Sequence, residues 1–174
     1  MDKNNIGFRQ YKLSEDFTMN IAAGHEIINN GFQTDEQYPL SHAVDGNEDT
    51  YCKIIGNTGK ILTFNFKNNI HCHHIKILFH SQIKQVYLFN EKDEEIYNKG
   101  SSTSSGFLEV DTDVDASFSS INMKFRSMES DDLIEISNIE IYSDNTITPP
   151  KGYYIKDFEI QSEKIKGGED NGDN

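Results

Sequence analysis

Ile61-Leu62-Thr63-Phe64-Asn65-Phe66 decides the class of this chain, because Leu62, Phe64 and Phe66 fall at every second position. A period of two places the three apolar side chains on one face of an extended strand, since successive strand residues point to opposite sides. The same rhythm recurs downstream. It runs through Ile75, Ile77 and Phe79, then Val86 and Leu88, with Ile96 following less cleanly. Phe107-Leu108-Glu109-Val110, Ile121-Asn122-Met123-Lys124-Phe125 and the stretch from Ile134 to Tyr142 continue it. Short β-branched and aromatic runs separated by Asn, Asp, Gly and Ser read as strands, and no amphipathic helical stretch lies between them. The chain is therefore expected to be all-β, a sandwich or a barrel.

The breaks between the runs carry turn chemistry. Asp45-Gly46-Asn47, Gly56-Asn57-Thr58-Gly59 and Lys67-Asn68-Asn69 read as loops. Asn90 to Glu94 reads as a hairpin tip between Val86–Phe89 and Glu95–Tyr97, and the Ser-rich Gly100–Gly106 as an exposed connection. The ends differ. Residues 1–19 lack periodicity and read as an arm. Residues 144–166 combine a Pro-containing linker with one more period-two segment that puts Tyr154, Phe158 and Ile160 on one face. Residues 167–174 are polar and acidic, the composition of a disordered tail.

Composition narrows the function. The chain has 174 residues, 16 Lys and Arg against 29 Asp and Glu, and a net charge of −13. A phosphate-neutralising surface needs the opposite excess, so no nucleic-acid partner and no adhesion to an anionic membrane are expected. No apolar run is long enough to span a bilayer, so no membrane insertion is expected either. The first residues lack the apolar core of a signal peptide, and Cys52 and Cys72 make no disulfide framework. The expectation is a cytoplasmic protein with free thiols.

Tyr38-Pro39-Leu40-Ser41-His42-Ala43-Val44-Asp45-Gly46-Asn47-Glu48-Asp49-Thr50-Tyr51 resembles the Ala-Leu/Ile-Asp-Gly-Asn-x-x-Thr-x-Trp loop of discoidin domains, also called coagulation-factor type C or galactose-binding-like domains. Other segments fall in the family's order. Asn20–Gly24 is similar to its first strand, Gly59–Phe66 and His74–Leu78 to its next apolar strands, and Ile136–Tyr142 to its closing strand. The resemblance spans residues 20–143. It implies an antiparallel jelly-roll β-sandwich of about eight strands. Two departures stand out: Cys52 occupies the family's Trp position, so the core there is packed differently or around Tyr51, and Asn138 stands where calcium-binding members carry Glu.

Carried over by position, the resemblance implies a calcium site at Asp45, Asn47, Thr50 and Asn138. Calcium takes six to eight hard oxygens, and loss of the Glu charge weakens such a site or empties it. The alternative is that Asp45 and Thr50 only close the turn by hydrogen bonds to backbone amides. His71-Cys72-His73-His74 offers soft ligands, but adjacent strand residues face opposite ways. A solvated loop leading into the Ile75–Phe79 strand is the reading preferred over zinc. No nucleophile elbow, zincin helix or phosphate-cradling loop is present, so no enzyme is expected.

Discoidin-like domains are binding modules, and the fold does not name the ligand. Intracellular members serve as non-catalytic subunits of larger assemblies, among them the small discoidin-like intraflagellar-transport subunit. The main expectation is such a protein-interaction subunit, with other protein subunits as partners and a ciliary assembly as one setting. Tyr154, Phe158 and Ile160 would either add a strand to a partner's sheet or pack back on their own sandwich. The alternative is a carbohydrate-binding module, with Tyr38, His42 and Tyr51 as its loop residues and Phe32 and Phe107 as further aromatics.

Overall fold

The structure is a computed structural model, and it describes residues 19–57, 59–100 and 109–143. Nine strands follow one another: β1 (Met19–Asn20), β2 (Ile28–Asn30), β3 (Gln33–Thr34), β4 (Cys52–Ile55), β5 (Ile61–Phe79), β6 (Ile83–Asn90), β7 (Glu95–Gly100), β8 (Glu109–Ser127) and β9 (Leu133–Ser143). A 3₁₀ turn, Leu40–Val44, precedes β4. All pairings are antiparallel. The hydrogen-bonded path runs β3-β4-β9-β5-β8-β6-β7, with β1 on β9 and β2 on β5.

One continuous path becomes two layers because β5 and β8, 19 residues each, belong to both. Ile70–Leu78 pairs with Glu109–Phe118 on one side and with β9 on the other, while Leu62–Asn65 pairs with Ser120–Met123. The ladder breaks register between Asn65 and Ile70. There Lys67 takes a left-handed conformation, φ 70°, and the Asn65 side-chain oxygen accepts its amide at 2.9 Å. A bulge of this kind bends and twists the strand. Layer A is β3-β4-β9 with the second half of β5 and the first half of β8; layer B is β2 with the remaining halves, β6 and β7. Phe64, Phe118, Phe125, Ile77, Leu88 and Ile136 fill the space between them, each 1% exposed or less.

The period-two reading holds through Leu62–Phe66, Ile75–Phe79, Val86–Leu88 and Ile121–Phe125, and the all-β antiparallel sandwich stands, with nine strands among the described residues. The sequence had divided β5 where the structure does not. His71, Cys72, His73 and His74 lie within β5 rather than in a loop before it, because Ile70 and Cys72 are buried and the backbone stays paired to Ser117 and Ala116. Lys67-Asn68-Asn69 is likewise a bulge inside a strand. Asn20–Gly24 is mostly a turn, with only Met19–Asn20 paired, to Tyr142 and Ser143. The hairpin tip at Asn90–Glu94 is as expected: the Asn90 amide donates to the Glu94 carbonyl at 2.9 Å. Within β9 the inward positions change phase from Ile134 and Ile136 to Ile139 and Ile141, at a register shift opposite Leu78–Phe79.

The arm before Met19, the Ser-rich connection Gly100–Gly106 apart from Gly100, which ends β7, the first two residues of the Phe107–Val110 run, and everything after Ser143 lie outside the described residues. That includes the linker, Tyr154, Phe158, Ile160 and the acidic tail. No helix is long and apolar enough to cross a membrane among the described residues.

Candidate functional site

Where β4, β9 and the end of β5 meet, three rings stack on the outward side of layer A. Tyr38 lies on Tyr51 with centroids 4.9 Å apart and planes 12° from parallel, and Tyr51 lies on His80 at 4.2 Å and 7°. Backbone bonds between separate segments bring them together. The Lys53 amide donates to the Tyr38 carbonyl at 2.9 Å, drawing the segment before the 3₁₀ turn alongside β4. The His80 amide donates to the Glu135 carbonyl at 2.8 Å, holding the end of β5 on β9. His42 Nδ1 donates to the Tyr51 carbonyl at 3.1 Å, since a carbonyl can only accept.

Charged groups surround the stack. Lys53 Nζ sits 4.5 Å from the centre of the Tyr38 ring and 3.9 Å from Glu135 Oε2. Glu135 Oε1 lies 3.3 Å from His80 Nδ1, and the Glu135 amide donates to Ser81 Oγ at 2.8 Å. The side chains of His80 and Glu135 are 55% and 12% exposed, so a solvent-facing ring lies beside a nearly covered carboxylate. The Tyr51 phenol is held above its ordinary pKa by desolvation first, then by its hydrogen bond to Tyr38 and the nearby Tyr38 and Glu135 charges. It therefore stays protonated at neutral pH and able to donate. Aromatic faces beside fixed donors and acceptors suit a ligand with C–H faces and hydroxyl edges.

The three loop residues expected from sequence, Tyr38, His42 and Tyr51, thus form one cluster. Lys53, His80 and Glu135 belong to it and were not read from sequence. Their outward position follows from strand alternation, but the register that sets β4 beside β9, Lys53 opposite Glu135, is tertiary. Phe32 does not join: it is buried at 5% exposure, with its ring 6.3 Å from Phe125. The core at the family's Trp position is closed by Cys52, fully buried, and not by Tyr51, which faces outward. Burial pushes the Cys52 thiol up to about 12, which leaves it uncharged and inert.

Of the four calcium candidates, three converge. The Asn47 amide and the Thr50 hydroxyl donate to the two oxygens of Asp45 at 2.9 and 2.7 Å. The Thr50 hydroxyl also reaches the Asn47 carbonyl at 2.9 Å. The fourth stays apart: the Asn138 amide donates to Glu140 Oε2 at 2.7 Å. One carboxylate, a hydroxyl and a carbonyl make a lean donor set for calcium.

The histidine run meets acids rather than a metal cage. His71 Nε2 lies 2.5 Å from Asp115, and His74 is held between Asp113 at 2.7 Å and Asp111 at 2.6 Å. Cys72 is fully buried, and its thiol donates to the His74 carbonyl at 3.7 Å. No group of three or more His, Cys, Asp or Glu that could hold a metal occurs among the described residues.

No protein-family model and no curated protein sequence matches this chain. Solved structures do. A fucose binding module of Streptococcus pneumoniae superposes with a TM-score of 0.56 at 17% identity, over 75% of this chain and 99% of that one. The lectin domain of lectinolysin, complexed with Lewis B antigen, gives 0.55 at 14%, over 72% and 97%. The family 32 carbohydrate-binding module of NanJ from C. perfringens, in complex with galactose, gives 0.51 at 15%, over 67% and 93%. At such identities the likeness is one of fold: the chain is a galactose-binding-like β-sandwich of the kind its resemblance to discoidin domains implied.

Proposed function

We propose that this protein is a non-catalytic glycan-binding module whose ligand stacks at the Tyr38, Tyr51 and His80 array. The observation that carries the reading is that array itself, three near-parallel rings with one exposed end, bordered by Lys53 and Glu135. A sugar ring would lay its C–H face on the open side of His80 and exchange hydroxyl hydrogen bonds with Glu135, Lys53 and the Tyr51 phenol. The sugar-binding structures of the same fold support this alternative over the protein-assembly subunit expected first. A glycan array probed with the full chain tests it, followed by calorimetry on the best hit. Tyr51→Ala and His80→Ala should each weaken binding about tenfold or more without lowering the melting temperature by more than a few degrees. An array without hits, or unchanged affinity in both variants, sinks the reading.

Calcium belongs to this proposal as an accessory ion. Asp45, Thr50 and the Asn47 carbonyl would hold it, with Asn138 committed to Glu140. With one carboxylate the affinity should be weak, in the range of about 10⁻⁴ to 10⁻³ M. Raising free calcium to about ten times that constant should add about 1.4 kcal/mol, seen as a rise in melting temperature. Asp45→Asn should abolish the rise; a melting temperature indifferent to calcium would remove the ion from the proposal.

A further inference from the structure

The charges of the two outward faces differ: on layer A the cations Lys53 and Lys76 lie 3.9 and 3.8 Å from the carboxylates of Glu135 and Glu48. The outward side of layer A carries Asp111, Asp113 and Asp115 at alternate positions of β8, beside His71 and His74. The outward side of layer B is different. Register places Arg126 opposite Gln85 and Lys124 opposite Tyr87, with Phe89 next along β6 and Lys84 exposed at the bulge beside Gln85. Among the described residues none of Lys84, Lys124 and Arg126 is paired with a carboxylate. Glu95, in register with Phe89 on the edge strand β7, is the carboxylate nearest this row in the pairing.

Aromatic surface accompanies the cations. Tyr87 and Phe89 project from the same side of β6, their rings 6.4 Å apart and 20° from parallel, and Lys124 Nζ stands 4.7 Å from the Phe89 ring centre. Both rings are half-buried, on a strand paired to β7 on one side and β8 on the other. Three cations without a carboxylate partner stand out in a chain of net charge −13, and together they give this face a local positive charge that an anionic ligand would neutralise. Layer A's acids lie across a sandwich whose sheets stand roughly 10 Å apart, about a screening length at 0.1 M salt, so they do not cancel this local field.

We propose that the outward face of layer B is a second binding surface, for an extended polysaccharide bearing carboxylate or sulfate groups. Tyr87 and Phe89 supply stacking for sugar rings, and Lys84, Lys124 and Arg126 meet the charges. A strand repeats its outward side chains about every 6.6 Å, a spacing suited to successive sugars of a chain rather than to one terminal residue. A second copy of this protein is the less favoured occupant, because its acidic face is already engaged by histidines and two copies of net charge −13 repel.

The test uses the full chain with three immobilised polymers: alginate for carboxylates, heparin for sulfates, and neutral dextran. At about 50 mM salt the wild type should retain on at least one polyanion, ignore dextran, and elute as salt rises. The double variant Lys124→Ala/Arg126→Ala changes surface positions only and should weaken retention about tenfold or more, as should Phe89→Ala. Tyr51→Ala should leave it unchanged, which separates this surface from the loop-end site. No retention on either polyanion, or equal retention by the double variant, overturns the proposal. So does a concentration-dependent dimer, seen by sedimentation and abolished by the double variant, which would assign the face to a second copy.

Discussion

His74 shows how a residue that looks like a metal ligand becomes a charge-balancing group. Burial alone would lower its pKa, but the hydrogen bonds it donates to Asp113 and Asp111, and the charges of those carboxylates, outweigh this and raise it. The folded state therefore holds the proton more tightly than the unfolded chain does. The resulting stability is complete below the unfolded value of about 6.5 and is lost as pH rises through the higher folded value. His74→Gln should lower the melting temperature most between about pH 5 and 6.5, and the gap to wild type should narrow steadily on the alkaline side. A gap independent of pH would mean that His74 acts by packing alone. The calcium-loop and ring-stack predictions also belong to this scale, since each turns on one side chain.

At the scale of the element, β5 is the unusual part. A 19-residue strand serves two layers only if it bends, and it bends where Lys67 adopts φ 70°. For a residue with a Cβ that conformation costs about 1–2 kcal/mol, which glycine avoids at the expense of about 0.5–1 kcal/mol of unfolded-state entropy. Lys67→Gly should thus be neutral or stabilising by up to about 1 kcal/mol, and Lys67→Val destabilising by about 1 kcal/mol or more, because β-branching tolerates the left-handed region worst. Urea denaturation of the two variants decides the matter. Equal loss in both would place the bend's rigidity in the lysine side chain instead. The loop boundaries read from the sequence fail here for a physical reason: Asn and Lys clusters have the same composition whether they end a strand or bulge it.

For the whole molecule, charge is the dominant property. With a net charge of −13 the compact state is strained by self-repulsion, which screening relieves. Raising salt from about 20 to about 200 mM should increase the melting temperature by several degrees, with sodium chloride and potassium chloride acting alike. A flat or falling profile would mean that local pairs such as Lys76 with Glu48, at 3.8 Å, outweigh the global repulsion.

The strand rhythm and the hairpin at Asn90–Glu94 were legible in the residues, because period-two burial and turn chemistry are local and each residue carries its own share of the signal, while the antiparallel sandwich was implied by the resemblance to discoidin domains. Tyr38, His42 and Tyr51 came into view through that same resemblance, as loop residues of a carbohydrate-binding module. What no local signal contains is register. That β4 lies on β9 with Lys53 opposite Glu135, that β5 continues through its histidines, and that His80 arrives on the face of Tyr51 all depend on backbone pairing between residues far apart in the chain. Sequence alone determined which side chains point out; tertiary pairing decided which of them meet.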